Sequence, residues 1–226
     1  MEIDELGSTQ THLVKQALWI YAESFPAEER ISAEELLRAV RQREQDSGPA
    51  DATFHFMVAL EDESVLGIAI FSYYKPARMG FIPYFAVHPR RRSGGLGARI
   101  YAQIIATVAA DARLYGEPAP LGVSFEVERP DLARDAADAQ LRRRRIGFYQ
   151  RNGAVEVPHL ALVAPPLGPN LPEMAYAILL HPLAGWASPP GRAAITAVVA
   201  TVLGHGYGLA PESPYYRRAL ASIDVD

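Results

Sequence analysis

Apolar and polar positions recur along this chain with two different periods, and each change of period marks a change of element. Residues 12–25 carry Leu13, Ala17, Leu18, Ile20 and Tyr21 at helical spacing, and Pro26 ends the run. Ser32-Ala33-Glu34-Glu35 reads as a capping box ahead of Leu36, Leu37 and Val40, with Ser32 as N-cap and Glu35 reaching back to it. After Gly48-Pro49 the texture becomes extended. Residues 54–60 and 65–74 are β-rich runs joined by the polar Glu61-Asp62-Glu63-Ser64, which predicts a hairpin, and residues 81–87 form a third strand. Residues 95–115 set Leu96, Ile100, Ile104, Val108 and Ala112 on one face, the signature of a core helix.

Gly116 and Pro118 break the chain before a strand at 121–127. The polar, Ala/Asp-rich residues 131–140 predict a loop or short helix, and 141–152 a helix closed by Gly153 at its C′ position. Residues 155–163 and 174–180 read as two more strands, divided by the Pro/Gly-rich 165–172. An apolar helix follows at 193–203, and the Pro/Gly/Tyr-rich tail ends in a short helix at 216–222. The order is therefore two helices, three antiparallel strands, a helix, a strand, a helix and two strands, without internal repeats.

Composition narrows the function classes. The 226 residues suffice for one large domain, or one domain with an appendage. A hydrophobic fraction of 49% with 21% charged residues is ordinary for a globular protein, and the net charge of −4 argues against nucleic acid as the main partner. The chain has no cysteine, which excludes disulfides, thiolate metal sites and a cysteine nucleophile. Met1-Glu2-Ile3-Asp4-Glu5 is too acidic for a signal or transit peptide, and the most apolar run, 193–204, falls short of the roughly 20 residues of a membrane span. These features lead us to expect a cytoplasmic protein without a membrane partner. The six histidines lack metal-ligand spacing, so no metal site is expected.

Candidate chemistry concentrates in Phe85-Ala86-Val87-His88-Pro89-Arg90-Arg91-Arg92-Ser93-Gly94-Gly95-Leu96-Gly97-Ala98, an apolar strand that enters a basic, glycine-rich turn and then a helix. A helix N-terminus leaves amides without partners and carries partial positive charge, which suits phosphate. Gly94, Gly95 and Gly97 remove the Cβ atoms that would hold a phosphate off the backbone, and Arg92 can add charge-assisted hydrogen bonds. His88, beside the loop, reads as a turn residue. A Walker loop is excluded because Ala98-Arg99 follows Gly97, and the glycine register does not fit a dinucleotide fingerprint.

Arg92-x-x-Gly95-x-Gly97 behind Ala86-Val87-His88-Pro89 resembles the acyl-CoA pyrophosphate loop of the GNAT superfamily of N-acetyltransferases. The element order resembles that superfamily over approximately residues 13–182. The resemblance implies an α/β fold of the α+β kind: a mixed, mostly antiparallel sheet of about seven strands flanked by helices, its central strands splayed to hold acyl-CoA. It implies acetyl-CoA as co-substrate, contacted by Phe85, Ala86, Val87, Arg92, Ser93, Gly94, Gly95, Leu96, Gly97 and Ala98. Residues 1–188 would form the acetyltransferase domain, and 189–226 a C-terminal helical extension packed on it.

Acetyl transfer to an amine requires that the amine lose a proton, that developing oxyanion charge be steadied, and that the departing thiolate be protonated. The resemblance assigns the oxyanion contact to the backbone N–H of Val87. Glu126 is the candidate base: in Val123-Ser124-Phe125-Glu126-Val127 a carboxylate stands in an apolar strand, where desolvation raises its pKa. Strand alternation also allows Glu126 to face solvent or a structural arginine. Glu128, with the same facing, is an alternative base or a second anchor for a cationic amine. Tyr149, in Arg145-Ile146-Gly147-Phe148-Tyr149-Gln150-Arg151-Asn152-Gly153-Ala154, resembles the family's Phe-Tyr-x-x-x-Gly-Phe helix end, with Ala154 in place of the commoner aromatic. That likeness implies a hydroxyl that protonates the CoA sulfur. The competing role is an aromatic filling a helix–sheet seam.

Two departures stand out. Arg142 occupies the spacing of a family Asn that binds the pantetheine arm, and the segment 129–141 is longer than usual. Arg142-Arg143-Arg144-Arg145 spreads around a helix, solvated or paired with acids such as Asp135 and Asp138, with one side chain at most reaching a 3′-phosphate.

The functional expectation is an N-acetyltransferase working by direct attack in a ternary complex, with a small-molecule amine as acceptor. Glu23, Glu28, Glu29, Glu126 and Glu128 suit a cationic amine, and the resemblance places acceptor specificity in the first two helices, their connection at 24–31 and the last strands. The alternatives are a peptide or protein N-terminal acetyltransferase, a non-catalytic acyl-CoA-binding sensor, and a protein that binds another phosphate ligand such as a nucleotide. The apolar 193–203 and Tyr215-Tyr216 would complete the core or pack against a second copy as a homodimer.

Overall fold

The computed structural model of the chain describes residues 1–45, 51–92, 94–117, 119–183 and 190–223. Its strands are β1 (Glu2–Glu5), β2 (Ala52–Glu61), β3 (Ser64–Tyr74), β4 (Met79–Val87), β5 (Gly122–Glu128), β6 (Val155–Glu156), β7 (Leu162–Ala164) and β8 (Met174–Pro182). Its helices are α1 (Thr11–Ser24), α2 (Ala33–Gln45), α3 (Leu96–Leu114), α4 (Ala136–Arg151), α5 (Arg192–Val199) and α6 (Pro214–Ala221), with a π-helical segment, Ala200–Gly206, continuing α5. The strands make one eight-stranded sheet ordered β1-β2-β3-β4-β5-β8-β6, with β7 also on β8. Among the described residues, only β4 and β5 pair in parallel.

Period-two alternation sorts the side chains between two faces. Met57, Ala59, Ala69, Phe71, Val123 and Phe125 meet Ile100, Ile104 and Val108 of α3 on one face. Phe56, Val58, Ile68 and Ile70 meet Leu13, Ala17 and Ile20 of α1 and Leu36 and Val40 of α2 on the other. That second face continues over β8, where Ile178 and Leu180 pack with Val198, Val202, Leu203 and Ala219 of the C-terminal segment. The apolar side of 193–203 thus completes the core of the same chain.

The hairpin is a two-residue turn with Asp62 at φ 47° and Glu63 at φ 62°, the left-handed pair that tight β2–β3 reversal demands. The capping box forms: Glu35 N–H donates to Ser32 Oγ at 3.1 Å, and Ser32 N–H donates to Glu35 Oε2 at 2.8 Å. In the middle of the sheet the ladder opens. Between Ile70↔Tyr84 and Ser72↔Phe81, β4 spends one residue more than β3, a bulge at Ile82-Pro83. Pairing of β4 with β5 ends at Ile82↔Phe125, just where Pro83 withdraws a backbone donor. Beyond that point the two strands part, and their ends line a cleft.

Several expected elements differ. The first element is the edge strand β1, too short and acidic to show an alternating apolar signal, and it brings the sheet to eight strands rather than about seven. Residues 131–140 are not a separate loop before a helix at 141. Asp135 accepts from Asp138 N–H at 2.8 Å and starts α4 early, after a 3-10 turn at Pro130–Leu132. The expected single strand at 155–163 is broken into β6 and β7, with His159 at φ 59° between them. The expected helix 193–203 changes from α to π at Ala200, where Thr201 Oγ1 donates to Ala197 O at 2.7 Å and competes with the α-helical ladder. The boundary expected between 188 and 189 lies outside the described residues. No helix among the described residues is long and apolar enough to cross a membrane.

Candidate active site

The turn between β4 and α3 is built for close backbone approach. Gly95, the α3 N-cap, holds φ 77°, a left-handed conformation that costs a side-chain-bearing residue about 1–2 kcal/mol. The first hydrogen bond of the helix runs from Arg99 N–H to Gly95 O at 3.2 Å, so the amides of Leu96, Gly97 and Ala98 precede the ladder and point out of its end. A Cβ on Gly97 would come within 3.3 Å of the Phe148 ring, whereas one on Gly94 or Gly95 would meet almost nothing. His88 Nδ1 accepts from Arg90 N–H at 3.2 Å and caps the preceding 3-10 turn, a turn role. Arg91 is paired with Glu61, while Arg92 Nε donates to Val87 O at 3.3 Å.

A cavity of about 620 Å³ starts at this turn and runs through the split between β4 and β5. Phe85, Ala86, Val87, Arg92, Gly95, Gly97 and Ala98 line it, as do Glu126 and Tyr149. Gly94 and Leu96 do not. The Leu96 side chain turns into the core with Ile100 and Tyr101, because the first helical residue must seal the α3–sheet seam, and only its amide remains for a ligand. Ser93 lies outside the described residues.

The cavity has two chemically different ends. At the α3–α4 end Arg92, Arg144 and Arg151 line it, and Arg145 stands between them and Glu29, whose charge it feels. At the far end are Ser24, Glu29, Tyr84, Glu126, Tyr176 and Tyr207. Glu126 lies on the strand face opposite Phe125 and Val127, yet it does not look into solvent. The C-terminal segment covers that face, and Tyr207 Oη donates to Glu126 Oε2 at 2.9 Å. The other carboxylate oxygen, Oε1, is buried without a hydrogen-bond partner, as is Ser24 Oγ. Desolvation raises the Glu126 pKa to about 8, against the lowering effect of the Tyr207 hydrogen bond. Burial also raises Glu29 above the usual carboxylate range, with Arg145 opposing.

Glu128 is different. Arg145 binds it closely and Arg142 stands 3.7 Å away, so it is an ion-pair partner rather than a free carboxylate at the cavity. Arg142 also pairs with Asp138 at 3.0 Å and donates to Arg129 O at 2.9 Å, so its guanidinium fastens α4 to the end of β5. Asp135, expected as a partner for these arginines, is instead the α4 N-cap. Tyr149 reaches the cavity from α4, its ring 4.2 Å from Phe125 and 6.3 Å from Phe85. Burial raises its phenol pKa, with Arg145 opposing.

Residues 14–116 match the family model of the GNAT acetyltransferases. Over that span the chain resembles a GNAT acetyltransferase. No curated protein matches it. Among solved structures, a GNAT-family protein from Bacteroides thetaiotaomicron superposes with a TM-score of 0.66 at 19% identity, covering 93% of this chain and 100% of that one. The ribosomal-protein-alanine N-acetyltransferase of Brucella melitensis gives a TM-score of 0.53 at 16% identity, over 81% of this chain and 100% of that one. The PaiA N-acetyltransferase of Thermoplasma acidophilum, solved with coenzyme A, gives 0.50 at 16% identity, over 80% and 98%. These likenesses show the GNAT fold.

GNAT enzymes are acyltransferases that take the acetyl group from acetyl-CoA. The residues present fit that donor: amides at the α3 N-terminus without a hydrogen-bond acceptor among the described residues, a glycine cradle that a side chain at position 97 would crowd, and arginines around it. Sequence reasoning missed Tyr84, Tyr176 and Tyr207, which reach the far end from three separate elements. Tyr207 carried a faint signal in Gly204-His205-Gly206-Tyr207-Gly208, an aromatic between glycines where the backbone can bend sharply.

Proposed function

We propose that this protein transfers acetyl from acetyl-CoA to the primary amine of a small molecule by direct attack, with Glu126 as base and Tyr149 as acid. The observation that carries the reading is the unpartnered, buried Oε1 of Glu126 on the cavity, opposite the arginine-lined end. A buried carboxylate oxygen without a donor favours an ammonium. Glu29 adds a second acid, and Ser24 Oγ offers a further hydrogen bond to the acceptor's body.

The amides of Leu96, Gly97 and Ala98, with Arg92, hold the diphosphate of the coenzyme, and Phe85, Ala86 and Val87 flank its arm. Acetyl-CoA supplies the acyl group already activated as a thioester. Glu126 Oε1 takes the ammonium proton, freeing the lone pair for attack as the N–C bond forms and the C–S bond breaks. The Val87 N–H steadies the carbonyl oxygen, the Tyr149 hydroxyl, kept protonated by burial, gives its proton to the departing sulfur, and the second proton shed by the acylated nitrogen restores the phenol. Residues 1–188 act as the catalytic domain and 189–226 as its extension, of which the turn at 200–207 closes the acceptor end. That closure, with Tyr207 over Glu126, suits a compact amine better than a peptide N-terminus.

The test is release of free CoA thiol from acetyl-CoA with panels of small amines and of peptides. Turnover with small amines alone supports the reading. Turnover with peptides alone replaces the acceptor class, and tight acetyl-CoA binding without thiol release from any amine identifies a sensor.

A further inference from the structure

We propose that Tyr207 is a positioning residue that aims the Glu126 carboxylate at the acceptor amine, and that the π-helical turn exists to present it. The inference rests on Glu126 being the base. Tyr207 Oη donates to Oε2 at 2.9 Å, and Oε1 is the oxygen left without a partner on the cavity. One hydroxyl thereby decides which oxygen is spent on the protein and which is offered to the ligand.

The turn that carries Tyr207 is held on several sides. Its N–H donates to Val202 O at 3.0 Å, five residues back, the wide register that sets Tyr207 apart from the path of an α-helix. Leu209 N–H returns to Leu203 O at 2.9 Å, and His205 stacks on Tyr74 with ring centroids 4.8 Å apart. A Cβ on Gly206 would lie 2.7 Å from the Phe81 ring, so the turn presses on β4 as closely as a glycine allows. Val202 and Leu203 anchor it in the core over β8. The groups that face Glu126 are Tyr207 from this turn, Glu29 from the α1–α2 connection, Tyr84 from β4 and Tyr176 from β8. None is cationic. Arg145, the nearby cation, is bound to Glu128. Tyr207 is thus the group seen to donate to this carboxylate.

The experiment compares the full-length protein with Tyr207→Phe and Gly206→Ala. With the best amine, Tyr207→Phe should lower kcat about tenfold to a hundredfold, the weight of a hydrogen bond to a charged group, and leave acetyl-CoA affinity unchanged. The acidic limb of its kcat/KM profile should move to higher pH, since a lost donor destabilises the carboxylate. Gly206→Ala, which keeps the hydroxyl but forces the turn off Phe81, should reproduce the loss in part. A carboxyl-¹³C titration of Glu126 needs no turnover: its midpoint should rise in Tyr207→Phe. An unmoved midpoint, or a wild-type pH limb, overturns the proposal. A raised midpoint in a protein that acetylates no amine leaves Tyr207 as the Glu126 partner and removes the base assignment instead.

Discussion

The two ends of the cavity are assembled in opposite ways. At the cofactor end the phosphate turn is one continuous piece of chain, β4 to α3, in which helix-end amides, glycines and Arg92 sit within a few residues of one another, with only flanking arginines added from α4. The proposed acceptor end is gathered from Ser24, Glu29, Tyr84, Glu126, Tyr176 and Tyr207, spread over most of the chain. Phosphate recognition needs only local backbone geometry, so a short motif encodes it. An amine pocket needs burial, acidity and shape, which the fold supplies by bringing distant segments together.

This contrast is sharpest when one end is damaged and the other read out. Glu126→Gln should lower kcat by about 100-fold to 1,000-fold while acetyl-CoA affinity holds, measured by thiol release and calorimetry. In the wild type, kcat/KM should rise with pH through about 8, where the base loses its proton, and flatten above. Arg92→Ala should do the reverse: acetyl-CoA affinity falls about tenfold and the amine KM is unchanged, since one charge-assisted bond is lost at the cofactor end. Equal effects of both substitutions on both substrates would break the division.

Tyr149→Phe should cut kcat about tenfold without weakening acetyl-CoA, because the ring keeps its packing on Phe125 and only the proton donor goes. Loss of binding instead would assign Tyr149 to the helix–sheet seam.

The effect with least bearing on the cavity lies outside it. His55 is buried between Glu5, 2.5 Å from Nδ1, and Asp111, 2.9 Å from Nε2. Burial alone would lower its pKa, but the two carboxylates reverse this and raise it from 6.5 to about 9. The folded state therefore holds the proton more tightly than the unfolded one. Its contribution is full below pH 6.5 and fades as the pH rises through 9. Denaturation at pH 6 and pH 9 should differ by about 1–3 kcal/mol, and His55→Gln should flatten that slope. Acetyl-CoA affinity should not follow it.

Much of the fold was legible because its signals are local and periodic. The α3 face, the Glu61–Ser64 reversal and the Ser32 box each declare themselves within a few residues. β1 was hidden because it is short and its Glu5 faces Arg43 and His55 rather than a core. The split of β6 from β7 depends on the αL conformation of His159, which its residue type does not announce. At the site, an isolated Glu in an apolar strand singled out Glu126. Whether Glu126 or Glu128 stays free was decided by Arg142 and Arg145 of α4, a contact across the fold that no local pattern encodes.

The central claim is that coenzyme A threads the β4–β5 split with its diphosphate on the α3 amides and its sulfur toward Glu126. A crystal structure with bound CoA measures this directly. The account predicts phosphate oxygens in hydrogen-bond range of the Leu96, Gly97 and Ala98 amides, and the thiol beside Tyr149. Diphosphate density anywhere else, or a thiol on the far side of the sheet from Tyr149, would contradict it.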